Sequence, residues 1–109
     1  MIRHISMFQM EPKPKNGKTV EENVKDLVAF LEKLPEQEPS IAGCRVASYA
    51  GRQPELPEEA PVMFHQVVQM IDFAKPEDAA AYPESQAHKS LMAFTQGMVK
   101  KVSAIDFEI

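Results

Sequence analysis

The 109-residue sequence has little of what marks several protein classes. It has no tryptophan and one cysteine, Cys44, so no disulfide can form within the chain. No apolar run approaches the roughly 18 residues of a membrane span. Arg3 and His4 interrupt the apolar run that an N-terminal signal peptide requires. We therefore expect a cytoplasmic protein with no membrane partner.

An excess of positive charge is also missing. The net charge is −4 and the isoelectric point is near 5.3, and the lysines and arginines are scattered. Binding to nucleic acid requires a basic patch, so no nucleic-acid partner is expected. The length predicts a single domain over residues 1–109.

The hydrophobic pattern predicts an alternation of strands and helices. In chain order, the sequence predicts a strand over 2–10, a helix from Thr19 to Pro35, a strand over 41–51, an acidic proline-rich loop over 52–61, a strand over 62–73, a short helix from Pro76 broken at Tyr82-Pro83, a helix capped by Ser85, and a strand over 102–109. This is the split βαβ order of an α+β, ferredoxin-like fold. Four antiparallel strands then carry helices on one face. Since the strands are apolar on both faces, we expect the uncovered face to pack against a second copy in a homodimer.

Four short stretches carry a resemblance to a known family. They are Met1-Ile-Arg-His-Ile-Ser-Met-Phe8, Phe64-His-Gln-Val-Val-Gln-Met70, Gln86-Ala-His-Lys-Ser-Leu91 and Ala104-Ile-Asp-Phe-Glu108. In this order and spacing the chain resembles the stress-responsive A/B barrel domain family, which implies a dimeric α+β barrel. Two departures stand out. Only Ala87-His88 remains of the His-Pro-Ala-His that family members often carry, and the 52–61 loop differs from theirs.

Within that family, the chain is similar to the branch of plant polyketide cyclases that make olivetolic acid. Such enzymes close a linear poly-β-ketone by aldol chemistry with a Tyr and a His, without metal or cofactor. The resemblance implies catalytic roles for Tyr82 and His88, with His4, His65 and Asp106 lining the pocket. Further pocket contacts expected for a substrate are Ser6, Val67 and Leu91.

The residues themselves allow a general-base mechanism. His88 lies in the first turn of a helix, where positive charge is disfavoured, so its imidazole is expected to be neutral and able to accept a proton. Asp106 could hold the other ring nitrogen, and the Tyr82 hydroxyl could stabilise an oxyanion. In the alternative, structural interpretation, His88 caps its helix or braces Asp106, and Tyr82 packs its ring in the core.

A zinc site is the other chemistry that three histidines and a carboxylate suggest. Metal ligands usually include a pair at short spacing, whereas His4, His65 and His88 are tens of residues apart, so no metal site is predicted. The resemblance to the cyclase branch implies that no cofactor is needed. If His4 and His65 lie on neighbouring strands and face the helices, a buried hydrogen-bonded network is the better interpretation.

Three functions fit these features. The first is a cofactor-free cyclase or lyase acting on a small carbonyl or polyketide-like compound. The second is a non-catalytic homodimer that binds a small ligand or serves a structural, stress-related role. The third is a cofactor-independent monooxygenase, which related dimeric barrels perform; it is disfavoured because its sites usually include tryptophan, which this chain lacks.

Overall fold

A computed structural model describes residues 1–50 and 53–109. Its elements, in chain order, are β1 (Ile2–Met10), α1 (Val20–Lys33), a 3-10 turn (Leu34–Gln37), β2 (Ile41–Ser48), β3 (Val67–Phe73), α2 (Pro76–Ala81), a second 3-10 turn (Tyr82–Glu84), α3 (Gln86–Phe94) and β4 (Val99–Glu108). The strands form one antiparallel sheet in the order β2-β3-β1-β4. The predicted α+β, ferredoxin-like fold is confirmed.

Helix α1 begins where local hydrogen bonding satisfies its free backbone amides. The Thr19 hydroxyl accepts a hydrogen bond from the backbone N–H of Glu22 at 3.1 Å, and the Glu22 carboxylate accepts one from the backbone N–H of Thr19 at 3.0 Å. This is the predicted capping box. Val24, Leu27 and Leu31 then recur at helical spacing and are buried against the sheet.

The sheet has one covered face and one open face. In β3 the odd-numbered side chains, such as Ile71 and Phe73, are buried under the helices, and the even-numbered ones point to the other side. Residues opposite each other in antiparallel strands point to the same face, so the register shows to which face each side chain of the other strands points. The apolar side chains on what we call the open face are Ile5, Met7, Ala47, Val68, Met70, Ile105 and Phe107.

Three strands differ in their bounds from the sequence prediction. Strand β4 begins at Val99 rather than at 102 and ends at Glu108 rather than at 109. Strand β3 begins at Val67 rather than at 62, because residues 62–65 form an extended loop with exposed apolar side chains. The pairing of β1 with β3 ends at Phe8 and Val67. Beyond it, the backbone N–H of Met10 donates a hydrogen bond to the side-chain oxygen of Gln66 at 2.7 Å. Strand β2 ends at Ser48, short of the predicted Gly51. Gly51 and Arg52, the end of that predicted strand and the start of the predicted loop, lie outside the described residues.

In the part of the chain that the structure describes, the α-helices are too short or too polar to cross a bilayer. The longest of them, α1, has 14 residues, against about 20 for a transmembrane helix.

Candidate functional site

His4 and Asp106 form the centre of the candidate site. They are directly opposite each other in β1 and β4, and both side chains point to the helix-covered face. Nδ1 of His4 hydrogen-bonds a carboxylate oxygen of Asp106. A carboxylate is an acceptor only, so the neutral imidazole carries its proton on Nδ1 and leaves Nε2 free to accept one. The His4 side chain is 20% exposed and that of Asp106 is 54% exposed.

The ring of Tyr82 lies between the two histidines. Its centroid is 5.8 Å from that of His4, 5.2 Å from that of His88 and 5.4 Å from that of Phe73. The 3-10 turn after α2 places the ring in the core, where Tyr82 is 4% exposed. Burial raises the pKa of its phenol, which keeps the hydroxyl protonated. Among the described residues, that buried hydroxyl has no hydrogen-bond partner.

His88 is fixed at the start of α3. Ser85 caps this helix, and its hydroxyl accepts the hydrogen bond of the His88 backbone N–H at 3.1 Å. Burial lowers the pKa of the His88 imidazole, partly offset by a hydrogen bond to the backbone of Pro83. The direction agrees with the neutral imidazole that the sequence predicted, and burial is its largest cause.

The predicted pairing of His88 with Asp106 is wrong. Among the described residues, the partner of the Asp106 carboxylate is His4. The antiparallel register sets this choice, because it brings His4 and Asp106 to directly opposite positions on one face of the sheet. His88 approaches from the helix layer and contacts the edge of the Tyr82 ring instead.

His65 does not join this group, contrary to the sequence prediction. It precedes β3, and its Nε2 lies 3.1 Å from the hydroxyl of Ser103. Ser103 is opposite Met7 on the open face, so His65 and His4 are on different sides of the sheet. The buried network containing both histidines is therefore absent. Within residues 1–50 and 53–109, no three His, Cys, Asp or Glu side chains are grouped so as to hold a metal ion.

The three expected substrate contacts are spread over the covered face. Ser6 is buried two residues along β1 from His4, so it adjoins the site. Leu91 is buried in the core on α3, three residues after His88. Val67 is opposite Phe8, four residues from the level of His4. That separation is about 13 Å at a rise of about 3.3 Å per residue, so Val67 lies away from the histidines.

The site opens to solvent along the edge strand. In β4, Val102 is 46% exposed and Ala104 and Asp106 are exposed, although all three point to the helix side. The helices therefore leave this edge of the covered face exposed to solvent. Two cavities, of about 340 Å³ and about 450 Å³, adjoin the open face instead, and neither is lined by His4, Tyr82, His88 or Asp106.

The sequence interpretation missed the ion pair between Arg3 and Asp72 on the open face. The Arg3 guanidinium donates two hydrogen bonds to the Asp72 carboxylate, at 2.8 and 3.0 Å, and holds the pKa of that carboxyl below its usual range. The two residues are 69 positions apart, and only the register of β1 and β3 makes them neighbours. The sequence interpretation also did not name Phe73 as a neighbour of Tyr82. The alternation of side chains along β3 could have placed Phe73 on the helix-covered face, where its ring contacts that of Tyr82.

The lowered pKa of His88 predicts acid sensitivity. Its folded value lies below the ordinary 6.5, so the unfolded chain binds this proton more readily. The contribution to stability is complete above about pH 6.5 and is lost as the pH falls from there toward the folded pKa. We expect the His88→Gln variant to lose less unfolding free energy than the wild type between about pH 7 and pH 5, measured by urea denaturation. His65→Gln is the control, and an unchanged pH slope in His88→Gln would contradict this role of the buried imidazole.

Comparison with known proteins identifies the family. The sequence model of the stress responsive A/B barrel domain matches residues 2–109. Curated proteins give no match. A dimeric ferredoxin-like protein of unknown function from Bacteroides fragilis has 16% identity and a TM-score of 0.72, over 99% of this chain and 95% of its own. A second such dimer, from Thermobifida fusca, has 20% identity and a TM-score of 0.71, over 99% and 90%.

A hydroxynitrile lyase from Passiflora edulis shares the fold as well. It has 14% identity and a TM-score of 0.69, over 99% of this chain and 92% of its own. At these identities the solved structures establish the fold alone, and the match over residues 2–109 establishes the family. The chain belongs to the stress responsive A/B barrel domain family.

Proposed function

We propose that this chain is a cofactor-free lyase or cyclase that acts on a small carbonyl or polyketide-like compound, as a cytoplasmic homodimer. One observation carries the proposal: a histidine held by a carboxylate lies beside the ring of a buried tyrosine, whose hydroxyl has no hydrogen-bond partner among the described residues. Oriented bases and free donors at one place are the parts that proton-transfer chemistry requires.

The arrangement divides the chemistry between two groups. In a lyase reaction, Nε2 of His4 takes the proton of a substrate hydroxyl as the adjacent C–C bond breaks and a carbonyl forms, and the imidazolium then gives this proton to the leaving carbanion. In a cyclase reaction, Nε2 takes a proton from a carbon next to a carbonyl, the enolate attacks a second carbonyl of the same molecule, and the imidazolium returns the proton to the alkoxide that forms. Asp106 stabilises the imidazolium that results, because its negative charge adjoins Nδ1–H. The Tyr82 hydroxyl donates a hydrogen bond to the oxygen on which negative charge develops. This assigns the base to His4, and His88 becomes a neutral neighbour that positions the Tyr82 ring.

Two comparisons support parts of the proposal. The Passiflora edulis relative is named a hydroxynitrile lyase, so this fold accommodates lyase chemistry in at least one protein. The Bacteroides and Thermobifida relatives are described as dimeric.

The open face of this chain also supports a dimer. Ile105 and Phe107 are 59% and 39% exposed on it, and apolar side chains exposed on one surface indicate that another molecule covers them. In the covering copy the same face would be buried by two-fold symmetry.

The non-catalytic homodimer remains the second candidate, and one observation favours it. The two cavities adjoin the open face rather than the histidines. Their volumes fall at the low end of the roughly 300–1,000 Å³ of small-molecule sites. In this case His4, Tyr82 and His88 are packing partners, and a small ligand binds without reaction or not at all.

Tyr82→Phe separates the two candidates. With mandelonitrile, an aromatic cyanohydrin, and a linear β-diketone as probes, we expect turnover by the wild type and about 10²- to 10³-fold lower kcat in Tyr82→Phe, the typical effect of removing one oxyanion donor. Stability should not fall, since the lost hydroxyl has no partner among the described residues. Tyr49→Phe, at the other tyrosine, is the control. Absence of turnover in the wild type with either probe, or equal rates in both variants, would favour the non-catalytic candidate.

A further inference from the structure

The loop between β2 and β3 exposes an unusual amount of apolar surface. We call residues 53–64 the loop arm. Its large apolar side chains are exposed to solvent, at 43% for Leu56, 56% for Val62, 47% for Met63 and 38% for Phe64. A loop at the surface of a monomer is expected to be polar, so a contiguous run of this kind indicates a surface that another molecule covers.

The loop arm is anchored at its base. The Gln53 side chain donates a hydrogen bond to the His65 carbonyl at 2.9 Å and accepts one from the Gln66 side chain at 3.0 Å. Pro54, Pro57 and Pro61 fix three backbone φ angles between these points. An anchored, proline-rich segment loses little conformational entropy on docking, which favours its use in an interface.

The apolar surface of the loop arm is continuous with the open face. Met63 and Phe64 line the cavity of about 340 Å³ together with Met7 and Val68 of the sheet. A molecule that covers the open face therefore also meets the loop arm. In the homodimer proposed above, that molecule is a second copy of the chain.

A two-fold axis parallel to the strands would set the loop arm over one particular part of the second copy. β2 and β4 are the opposite edges of the sheet, and a two-fold axis parallel to the strands sets the β2 edge of one sheet over the β4 edge of the other. The same axis keeps both loop arms at the sheet end where Phe8, Val67 and Val102 are paired. Each loop arm then lies over the beginning of the partner's β4.

The charges at these two places are complementary. Lys101, at the beginning of β4, is opposite Gln9 and points to the open side, where it is exposed. In the described part of the chain Lys101 has no ion-pair partner. The loop arm carries three exposed glutamates, Glu55, Glu58 and Glu59. Opposite charges at the rim of an interface set orientation and register.

We propose that each loop arm clasps the partner subunit, with Met63 and Phe64 packed on its open face and Glu58 and Glu59 beside its Lys101. This inference rests on the homodimer in the proposed function and adds the contact that fixes its orientation. It assigns the exposed apolar residues of the loop arm to an interface with a second copy of the chain.

The test is the dimer dissociation constant, measured by sedimentation equilibrium of the full chain. Met63→Ser/Phe64→Ser is expected to raise it at least about tenfold, since buried aromatic anchors dominate interface energetics. Met92→Ser is the control, because Met92 is 46% exposed but lies on α3, away from the loop arm. Lys101→Glu is expected to weaken the dimer severalfold, and combining it with Glu58→Lys/Glu59→Lys is expected to restore the affinity.

The outcomes separate this inference from the homodimer itself. If the wild type sediments as a monomer at every concentration, both are wrong. If Phe107→Ser on the sheet weakens the dimer while Met63→Ser/Phe64→Ser behaves like Met92→Ser, the dimer stands and the clasp is wrong. A charge exchange that weakens the dimer further, instead of restoring it, also overturns the clasp.

Discussion

Replacing His4 with alanine is expected to reduce kcat/KM by about 10²- to 10⁴-fold, the usual contribution of a positioned general base. His4 is the imidazole that a carboxylate orients, and its Nε2 is free to accept a proton. Asp106→Asn is also expected to lower kcat/KM. A carboxylate only accepts a hydrogen bond, whereas an amide can also donate one, so the variant no longer holds the His4 imidazole in the tautomer that leaves Nε2 unprotonated. The measurement is initial-rate kinetics with the cyanohydrin and β-diketone probes.

His65→Ala is the matched control for this prediction. His65 is also a partly buried histidine with a hydrogen bond to a side chain, but it lies on the other side of the sheet. Its removal should leave kcat/KM close to the wild-type value. Equal losses in His4→Ala and His65→Ala, or a loss in His65→Ala alone, would contradict the site as assigned.

Placing two aspartates on the open face, in Ile105→Asp/Phe107→Asp, is expected to dissociate the homodimer. Each subunit would bury two charges without partners and lose two apolar contacts across the interface. We expect the dissociation constant to rise by about 10³-fold or more, since about 4 kcal/mol corresponds to that factor. Both residues are more than a third exposed in the single chain, so the monomer should still fold.

Val102→Asp is the control for the dimer experiment. Val102 is in the same strand and is 46% exposed, but it points to the helix side. Sedimentation and circular dichroism together distinguish dissociation from unfolding. An Ile105→Asp/Phe107→Asp variant that stays dimeric and folded would show that the open face is not the interface.

The order of elements followed from local signals that the sequence contains. The capping box at Thr19, the helical spacing of Val24, Leu27 and Leu31, and Ser85 before α3 all depend on residues within a few positions of each other. Such short-range preferences can be recognised without knowing the rest of the fold. The strand boundary at Val67 could not, because Val62, Met63 and Phe64 have the composition of a strand but no place in the ladder.

In the candidate site, too, some features follow from the local sequence and others depend on the tertiary structure. Sequence alone determined that His4 is in a strand, that His88 is in the first turn of a helix, and that Asp106 is in the last strand. Tertiary structure decided that Asp106 binds His4 rather than His88, and that His65 lies on the opposite side. The reason is the register between strands up to 102 positions apart, which sets both the neighbours and the face of each side chain.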